Sequence, residues 1–350
     1  MNDVAHLVRR NITDLMPYSS ARHEFTGNAS VFLDANENSF GSPSADGFNR
    51  YPDPLQMELK EALSTIKGVP PQNIFIGNGS DEVIDIAYRI FCEPGIDNVI
   101  ICPPTYGMYE VSAHINNVAV QKVDLLPTFQ MDVDGIMSVT NDNTKLLFIC
   151  SPNNPTGNNM LRQDILWLLN NFPGIIILDE AYINYSRNKT CIQELTEYPN
   201  LVVMQTLSKA WGMAGLRLGL CFASEYITTL YNKVKPPYNI NTSSQKLAIE
   251  ALKKGDQVND WIKQIVEERT KLMASLRTYS FVVTTYESDA NFILVKVKDA
   301  VSLYQHLLDN KIIVRNRSKD PGCSNCLRLT IGTSEENILL TNALKIYDNK

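Results

Sequence analysis

Leu201-Val202-Val203-Met204-Gln205-Thr206-Leu207 runs straight into Ser208-Lys209-Ala210-Trp211-Gly212-Met213-Ala214-Gly215-Leu216-Arg217, and Leu218-Gly219-Leu220-Cys221-Phe222 follows at once. A short apolar run bounded by small and polar residues reads as a buried strand. Two such runs flank a turn that carries one amine, one hydroxyl next to it and one arginine. Lys209 therefore sits at a sheet end, between apolar segments, rather than on the solvated face where a lone lysine is usually found. An amine in that place suits Schiff-base chemistry, because burial or nearby positive charge lowers its pKa and frees its lone pair.

Outward from this stretch the pattern repeats. Further strands are expected at Asn73–Gly77, Asn98–Cys102, Ala119–Val123, Lys145–Cys150 and Gly174–Asp179, all short and bounded by Gly, Pro, Asn or Asp. Several are apolar throughout instead of alternating, as in a sheet covered by helices on both faces. Helical stretches lie between them, such as Asp81–Phe91, with Val83, Ile86, Ala87 and Ile90 on one face, and Gln163–Asn171. The expected fold is α/β, a large domain over residues 45–240 with a mostly parallel central sheet. After Pro236-Pro237 the pattern changes. Ser244–Lys254 and Val258–Tyr279 read as helices, then come strands at Asn291–Val297, Ile312–Arg315 and Leu327–Ile331, with helices at Asp299–Asn310 and at the end. Residues 241–350 are thus expected to form a smaller α+β domain. Residues 1–44 have no core pattern of their own and are read as an arm that packs on other parts.

Size and composition agree with this division. A chain of 350 residues and 39.4 kDa is long for a single core. A net charge of −6 argues against a nucleic-acid partner. Asp3, Arg9, Arg10 and Asp14 break up the start of the chain, so no signal peptide is read there. No apolar run approaches the roughly 18 residues of a membrane helix, and a cytoplasmic enzyme with no membrane partner is expected. Cysteines number seven, and several lie in apolar stretches, so a disulfide framework is not expected. Cys323 and Cys326 have metal-like spacing but no second pair, and no metal is assigned.

Polar clusters follow the strand candidates, and open α/β sheets bind ligands beyond the carboxyl ends of their strands. Gly77-Asn78-Gly79-Ser80-Asp81-Glu82 leads from a strand into a helix. Its glycines let the backbone approach an anion, and the first helical N–H groups bind phosphate; equally, Ser80 is a plain helix cap. Asp179 ends a strand, where it either caps the next element or pairs with the ring nitrogen of a pyridine cofactor. A protonated pyridine ring draws electrons from a substrate's α-carbon, the chemistry that Lys209 would begin. Tyr182, three residues on, and the amide of Asn154 in Asn153-Asn154-Pro155-Thr156-Gly157 can each meet a ring oxygen, although that stretch also reads as a turn. Thr206, Ser208 and Arg217 can bind the phosphate of such a cofactor, Arg217 through paired charge-assisted bonds.

Together these clusters resemble the fold-type I pyridoxal phosphate aminotransferases, and within them the histidinol-phosphate aminotransferases. The likeness runs over nearly the whole chain. It rests on the Lys209 box, Asp34-Ala35-Asn36-Glu37-Asn38, Arg50-Tyr51-Pro52-Asp53-Pro54, Pro103-Pro104-Thr105-Tyr106-Gly107-Met108-Tyr109, Ser151-Pro152-Asn153-Asn154-Pro155-Thr156-Gly157, Asp179-Glu180-Ala181-Tyr182 and the segment from Gly322 to Gly332. The resemblance implies pyridoxal 5′-phosphate bound covalently to Lys209, with Asp179 on the ring nitrogen and Tyr182 and Asn154 on the ring oxygen. Tyr106 would stack on the ring. Gly79, Ser80 and Asp81 through their backbone, with Thr206, Ser208 and Arg217, would hold the phosphate. It further implies a homodimer in which Tyr51 reaches the partner's site and the arm over residues 1–44 packs on the small domain and the partner subunit.

Tyr18, Arg315 and Arg328 are the substrate residues that the resemblance implies. Arginine suits both a carboxylate and a phosphate, since its planar fork pairs with two oxygens of either. The implied reaction exchanges an amino group between L-histidinol phosphate and 2-oxoglutarate, giving imidazole acetol phosphate and glutamate, in histidine biosynthesis. One departure stands out: Leu339 occupies the region where the family carries a second basic residue. Transamination of aromatic amino acids is the neighbouring reading, and decarboxylation of an amino-acid phosphate is a third.

Overall fold

Burial on both faces explains why the central strands are apolar throughout. The computed structural model describes residues 4–17, 30–44 and 47–349. The larger sheet contains β1 Ile74–Asn78, β2 Asn98–Ile101, β3 Ala119–Lys122, β4 Thr144–Cys150, β5 Ile175–Asp179, β6 Leu201–Thr206 and β7 Leu218–Phe222, in the order β1-β7-β6-β5-β4-β2-β3. Ile76, Ile149, Leu178 and Val203 feed a core on one face. Phe75, Phe148, Ile177 and Met204 feed a core on the other. Each such side chain, fully buried, contributes about 1.5–3 kcal/mol. The pairs β2–β3, β2–β4, β4–β5 and β5–β6 are parallel, whereas β7 runs antiparallel to both β6 and β1. The carboxyl ends of β1, β4, β5 and β6 consequently lie along one edge of the sheet, beside the start of β7.

Helices α1 Met57–Lys67, α2 Ser80–Phe91, α3 Met108–Ile115, α4 Val133–Val139, α5 Arg162–Asn171 and α6 Glu225–Val234 accompany this sheet. Beyond them lie α7 Thr242–Leu252 and the long α8 Gly255–Leu276. A second sheet, in the order β10-β11-β9-β8, is built from β8 Val282–Thr285, β9 Phe292–Val297, β10 Arg315–Asn316 and β11 Cys326–Thr330. With α9 Ala300–Asp309 and α10 Ser334–Asp348 it encloses its own core around Ile293, Val295, Leu303 and Leu344. No helix among the described residues is long and apolar enough to cross a membrane.

Two boundaries differ from the sequence reading. Ala248 and Leu252 of α7 join the large-sheet core with Leu59 and Leu63, so the change of core falls within α8, between Val258 and Leu272, and not at residue 241. Residues 4–12 do not pack on the smaller unit. Val4, Leu7, Val8 and Ile12 enter the large-sheet core beside Ile90 and Phe91, and Arg9 pairs with Glu93 at 3.0 Å. Four buried apolar residues in nine suffice to dock a short segment, but they are too few to show a period in the sequence.

Candidate active site

The sheet edge where β1, β4, β5 and β6 end opens into a cavity of about 140 Å³. Ser80, Asp81, Tyr106, Asn154, Asp179, Tyr182, Thr206, Ser208, Lys209 and Arg217 all line it, with Cys150 and two alanines. Residues spread over more than a hundred positions of sequence meet there because each follows a strand of the same edge.

One end of the cavity is cationic. Gly79 donates its N–H to the Arg217 carbonyl at 2.8 Å, which ties the start of α2 to the start of β7. A Cβ on Gly79, where φ is +80°, would lie 2.5 Å from Arg217 Nη2, and a Cβ on Gly219 would lie 2.3 Å from the Gly79 carbonyl carbon and the Ser80 nitrogen. Gly219 is therefore required sterically, since the atoms it would strike are backbone, and Gly79 is required by its positive φ. They let the Arg217 guanidinium and the first N–H groups of a twelve-residue helix share one concave end, where the helix dipole adds to the positive charge. Asp81 Oδ2 stands 3.7 Å from Arg217 Nη2, and Asp81 Oδ1 accepts the Tyr106 hydroxyl at 3.0 Å. Thr206 is engaged elsewhere: its hydroxyl donates to the Leu218 carbonyl at 3.2 Å and accepts from the Ser208 N–H at 3.0 Å. It braces the turn that carries Ser208 and Lys209.

The other end is anionic and buried. Asp179 is buried, and its Oδ2 accepts the Tyr109 hydroxyl at 2.6 Å while Oδ1 accepts the Ala181 N–H at 3.0 Å. Burial raises its pKa to about 6 despite these two bonds and the attraction of Lys209. Between the two ends, Lys209 Nζ lies 5.7 Å from the centre of the Tyr182 ring. Burial, followed by the positive charge of Arg328, lowers the Lys209 pKa, with Asp179 opposing and Arg217 assisting. Burial also pushes the Tyr182 phenol well above its ordinary pKa, which keeps it a hydrogen-bond donor.

Arg328 comes from the smaller sheet. Its Nη1 donates to Asn154 Oδ1, its guanidinium lies over the Phe292 ring at 5.2 Å, and its Nε is buried without a partner among the described residues. Burial lowers its pKa, and the charges of Arg317 and Arg315 add to the effect. Arg315 of β10 stands directly opposite Arg328 of β11, so the two side chains share one face of the sheet. Arg317 pairs with Asp320 at 2.5 Å. Leu339 lies on the exposed side of α10, at 64% exposure, so its identity does not shape the cavity.

Not every predicted residue meets this cavity. Tyr51 stacks on Tyr238, with ring centres 4.5 Å apart, and lines a separate depression with Arg50 and Asn241. Tyr18 lies outside the described residues. Sequence reasoning missed Tyr109 as a partner of Asp179, and Asn153 as the brace of its loop. Asn153 is fully buried and donates from Nδ2 to the Pro104 carbonyl at 2.9 Å and to the Thr156 hydroxyl at 2.7 Å, which fixes Asn154 beside it.

The arrangement suits pyridoxal phosphate on structural grounds alone. A helix start and a guanidinium that only two glycines permit fit the phosphate, a buried carboxylate fits the ring nitrogen, and an amine of lowered pKa fits the aldehyde. Known proteins agree. The sequence model of the family described as aminotransferase class I and II matches residues 29–344. The histidinol-phosphate aminotransferase of Bacteroides thetaiotaomicron is 52% identical over 348 residues, 99% of each chain. Among solved structures, the histidinol-phosphate aminotransferase of Clostridium acetobutylicum superposes with a TM-score of 0.79 at 24% identity, over 86% of this chain and 91% of that one. The Sinorhizobium meliloti enzyme, solved in complex with pyridoxal-5′-phosphate, gives 0.78 at 23% identity over 90% of each chain. At such identities the structural likeness speaks for the fold.

Proposed function

The chain belongs to the aminotransferase class I and II family, and from that premise we propose that it is a histidinol-phosphate aminotransferase. It exchanges an amino group between L-histidinol phosphate and 2-oxoglutarate in histidine biosynthesis, with pyridoxal 5′-phosphate as cofactor. The observation that carries this reading is the convergence of Lys209, Asp179 and Arg217 on one cavity, in a chain 52% identical over its length to a relative of that name. When bound, the cofactor supplies an electron sink for the bonds of the substrate's α-carbon.

The residues divide the work. Arg217, Ser208 and the backbone N–H groups of Gly79, Ser80 and Asp81 hold the phosphate. The hydroxyl of Thr206 supports them by fixing the turn. Asp179 accepts a hydrogen bond from the ring nitrogen and holds its proton there. Tyr182 and Asn154 donate to the ring oxygen, and Tyr106 covers one face of the ring. Lys209 would hold the cofactor aldehyde through Nζ, and its amine would serve as general base and acid for the proton at the substrate's α-carbon. Its lowered pKa raises the neutral fraction that both tasks require.

Arg328, supported by Arg315 and by Tyr18 of the arm, binds the anionic end of each substrate. The orphaned Nε of Arg328 supports this role, since an incoming carboxylate or phosphate gives it an acceptor. In this reading the large domain holds the cofactor and the smaller one brings the substrate arginines to it. The catalytic unit is a cytoplasmic homodimer in which Tyr51 reaches the partner's cofactor phosphate. Exposed Val31, Leu33 and Phe40 near Tyr51 suit a surface that a second copy covers. Glutamate formation from 2-oxoglutarate tests the function: it should require histidinol phosphate as donor and added pyridoxal phosphate. Formation of glutamate with phenylalanine but not with histidinol phosphate would overturn it.

A further inference from the structure

Tyr109 is not assigned to the reaction by anything above, yet it makes the shortest bond to Asp179. It belongs to the first turn of α3, 70 positions before Asp179, and its ring is fully buried. Three contacts fix it. Its carbonyl accepts the Tyr88 hydroxyl at 2.7 Å, and its ring stacks on Phe148 at 4.7 Å and 17°. The Tyr106 ring meets it edge-on at 5.6 Å and 83°. Phe148 in turn stacks on Tyr88 at 5.5 Å. Tyr88, Phe148, Tyr109 and Tyr106 thus form one rigid aromatic wedge between α2, α3 and the sheet.

We propose that Tyr109 is the positioning residue of Asp179: its hydroxyl locks the carboxylate toward the ring nitrogen and keeps it ionised. The inference rests on the reading that Asp179 meets that nitrogen. The Tyr109 O–H holds Oδ2 and the Ala181 N–H holds Oδ1, so the carboxylate cannot swing about its last torsion. Its one remaining task is toward the cavity it lines. Charge is governed by the same bond. A buried carboxylate needs donors to remain charged, and Tyr109 is the donor whose bond does most to offset the burial. The other groups facing Asp179 are Lys209, which favours the charge, and Asp81, which opposes it. Cys150 and Tyr182 lie beside it as neutral neighbours. Because Tyr106 packs on Tyr109, one wedge sets both the face and the nitrogen of the ring.

Tyr109→Phe keeps the stack and removes only the hydroxyl. One lost hydrogen bond to a charged group predicts cofactor binding weakened by about tenfold. The pH midpoint of the bound cofactor's absorbance should rise by about one unit, since a carboxylate without this donor is more basic, takes more of the ring proton and leaves less positive charge on the ring. A double-mutant cycle with Asp179→Asn separates positioning from folding: once Asp179 is neutral, Tyr109→Phe should change cofactor affinity less than twofold. A full tenfold loss in both backgrounds would mean a merely structural role and overturn the proposal, as would an unchanged affinity and midpoint in Tyr109→Phe alone. Failure of the wild-type protein to attach pyridoxal phosphate to Lys209, read by borohydride trapping and peptide mass, would instead overturn the functional reading and this proposal with it.

Discussion

Replacing Asp179 by Asn should make the cofactor-free protein more stable and the enzyme inactive. The carboxylate is buried, which raises its pKa from an ordinary 3.8 to about 6. Each unit corresponds to 1.36 kcal/mol, so holding the charged form in the fold costs about 3 kcal/mol at neutral pH. Asparagine removes that cost. Its amide still accepts from the Tyr109 hydroxyl, but it offers only one oxygen, and the bond from the Ala181 N–H is lost for about 1 kcal/mol. The net gain is about 2 kcal/mol, a rise of about 3 °C in the melting temperature of a chain this long. The sign depends on pH. Between about 4 and 6 the native state binds the extra proton, so wild-type stability falls as pH rises through that window. The advantage of Asp179→Asn should accordingly be full at pH 7.5 and absent at pH 4. Melting curves of both proteins, stripped of cofactor, at the two pH values measure it. An asparagine variant no more stable than wild type at pH 7.5, or a difference that does not change with pH, would refute the reasoning.

Two further predictions concern substrates and assembly. Arg328→Ala should lower kcat/KM by roughly 10²–10³ for histidinol phosphate and for glutamate alike, as expected from losing two charge-assisted hydrogen bonds; a loss for one substrate alone would mean that the two anions are held separately. Mixing inactive Lys209→Ala protein with Tyr51→Phe protein should raise activity above the average of the two. A mixed dimer contains one site with both native residues if Tyr51 acts across the interface, and no recovery would place Tyr51 within its own chain's site.

Most of the large sheet could be read from the sequence because its strands are buried on both faces. Apolar runs such as Leu201–Thr206 and Ile175–Asp179 declare themselves without any period. β8 was missed because it lies at the edge of the smaller sheet with Val283 exposed, whereas the strand expected at Ile312–Arg315 is found as the two residues Arg315–Asn316. The reversal of β7 had a signal. Ten residues between Leu207 and Leu218 are too few for a crossover with a helix, which a parallel return requires. Site residues at strand ends, such as Asp179 and Lys209, were legible since the chemistry sits where the apolar run stops. Tyr109 was not, because its partner lies 70 positions away and only the packing of α3 against β4 and β5 brings them together. The docking of residues 4–12 was hidden for the same reason: contact with Ile90 and Phe91 is long-range, and nothing local records it.

The central claim is that one lysine site serves histidinol phosphate in preference to aromatic amino acids. Its most direct test is a single turnover of cofactor-loaded protein with histidinol phosphate, glutamate or phenylalanine, followed by the absorbance of the bound cofactor. The account predicts that histidinol phosphate and glutamate each convert it, and that histidinol phosphate does so much faster than phenylalanine. Faster conversion by phenylalanine, or no conversion by histidinol phosphate, would contradict it.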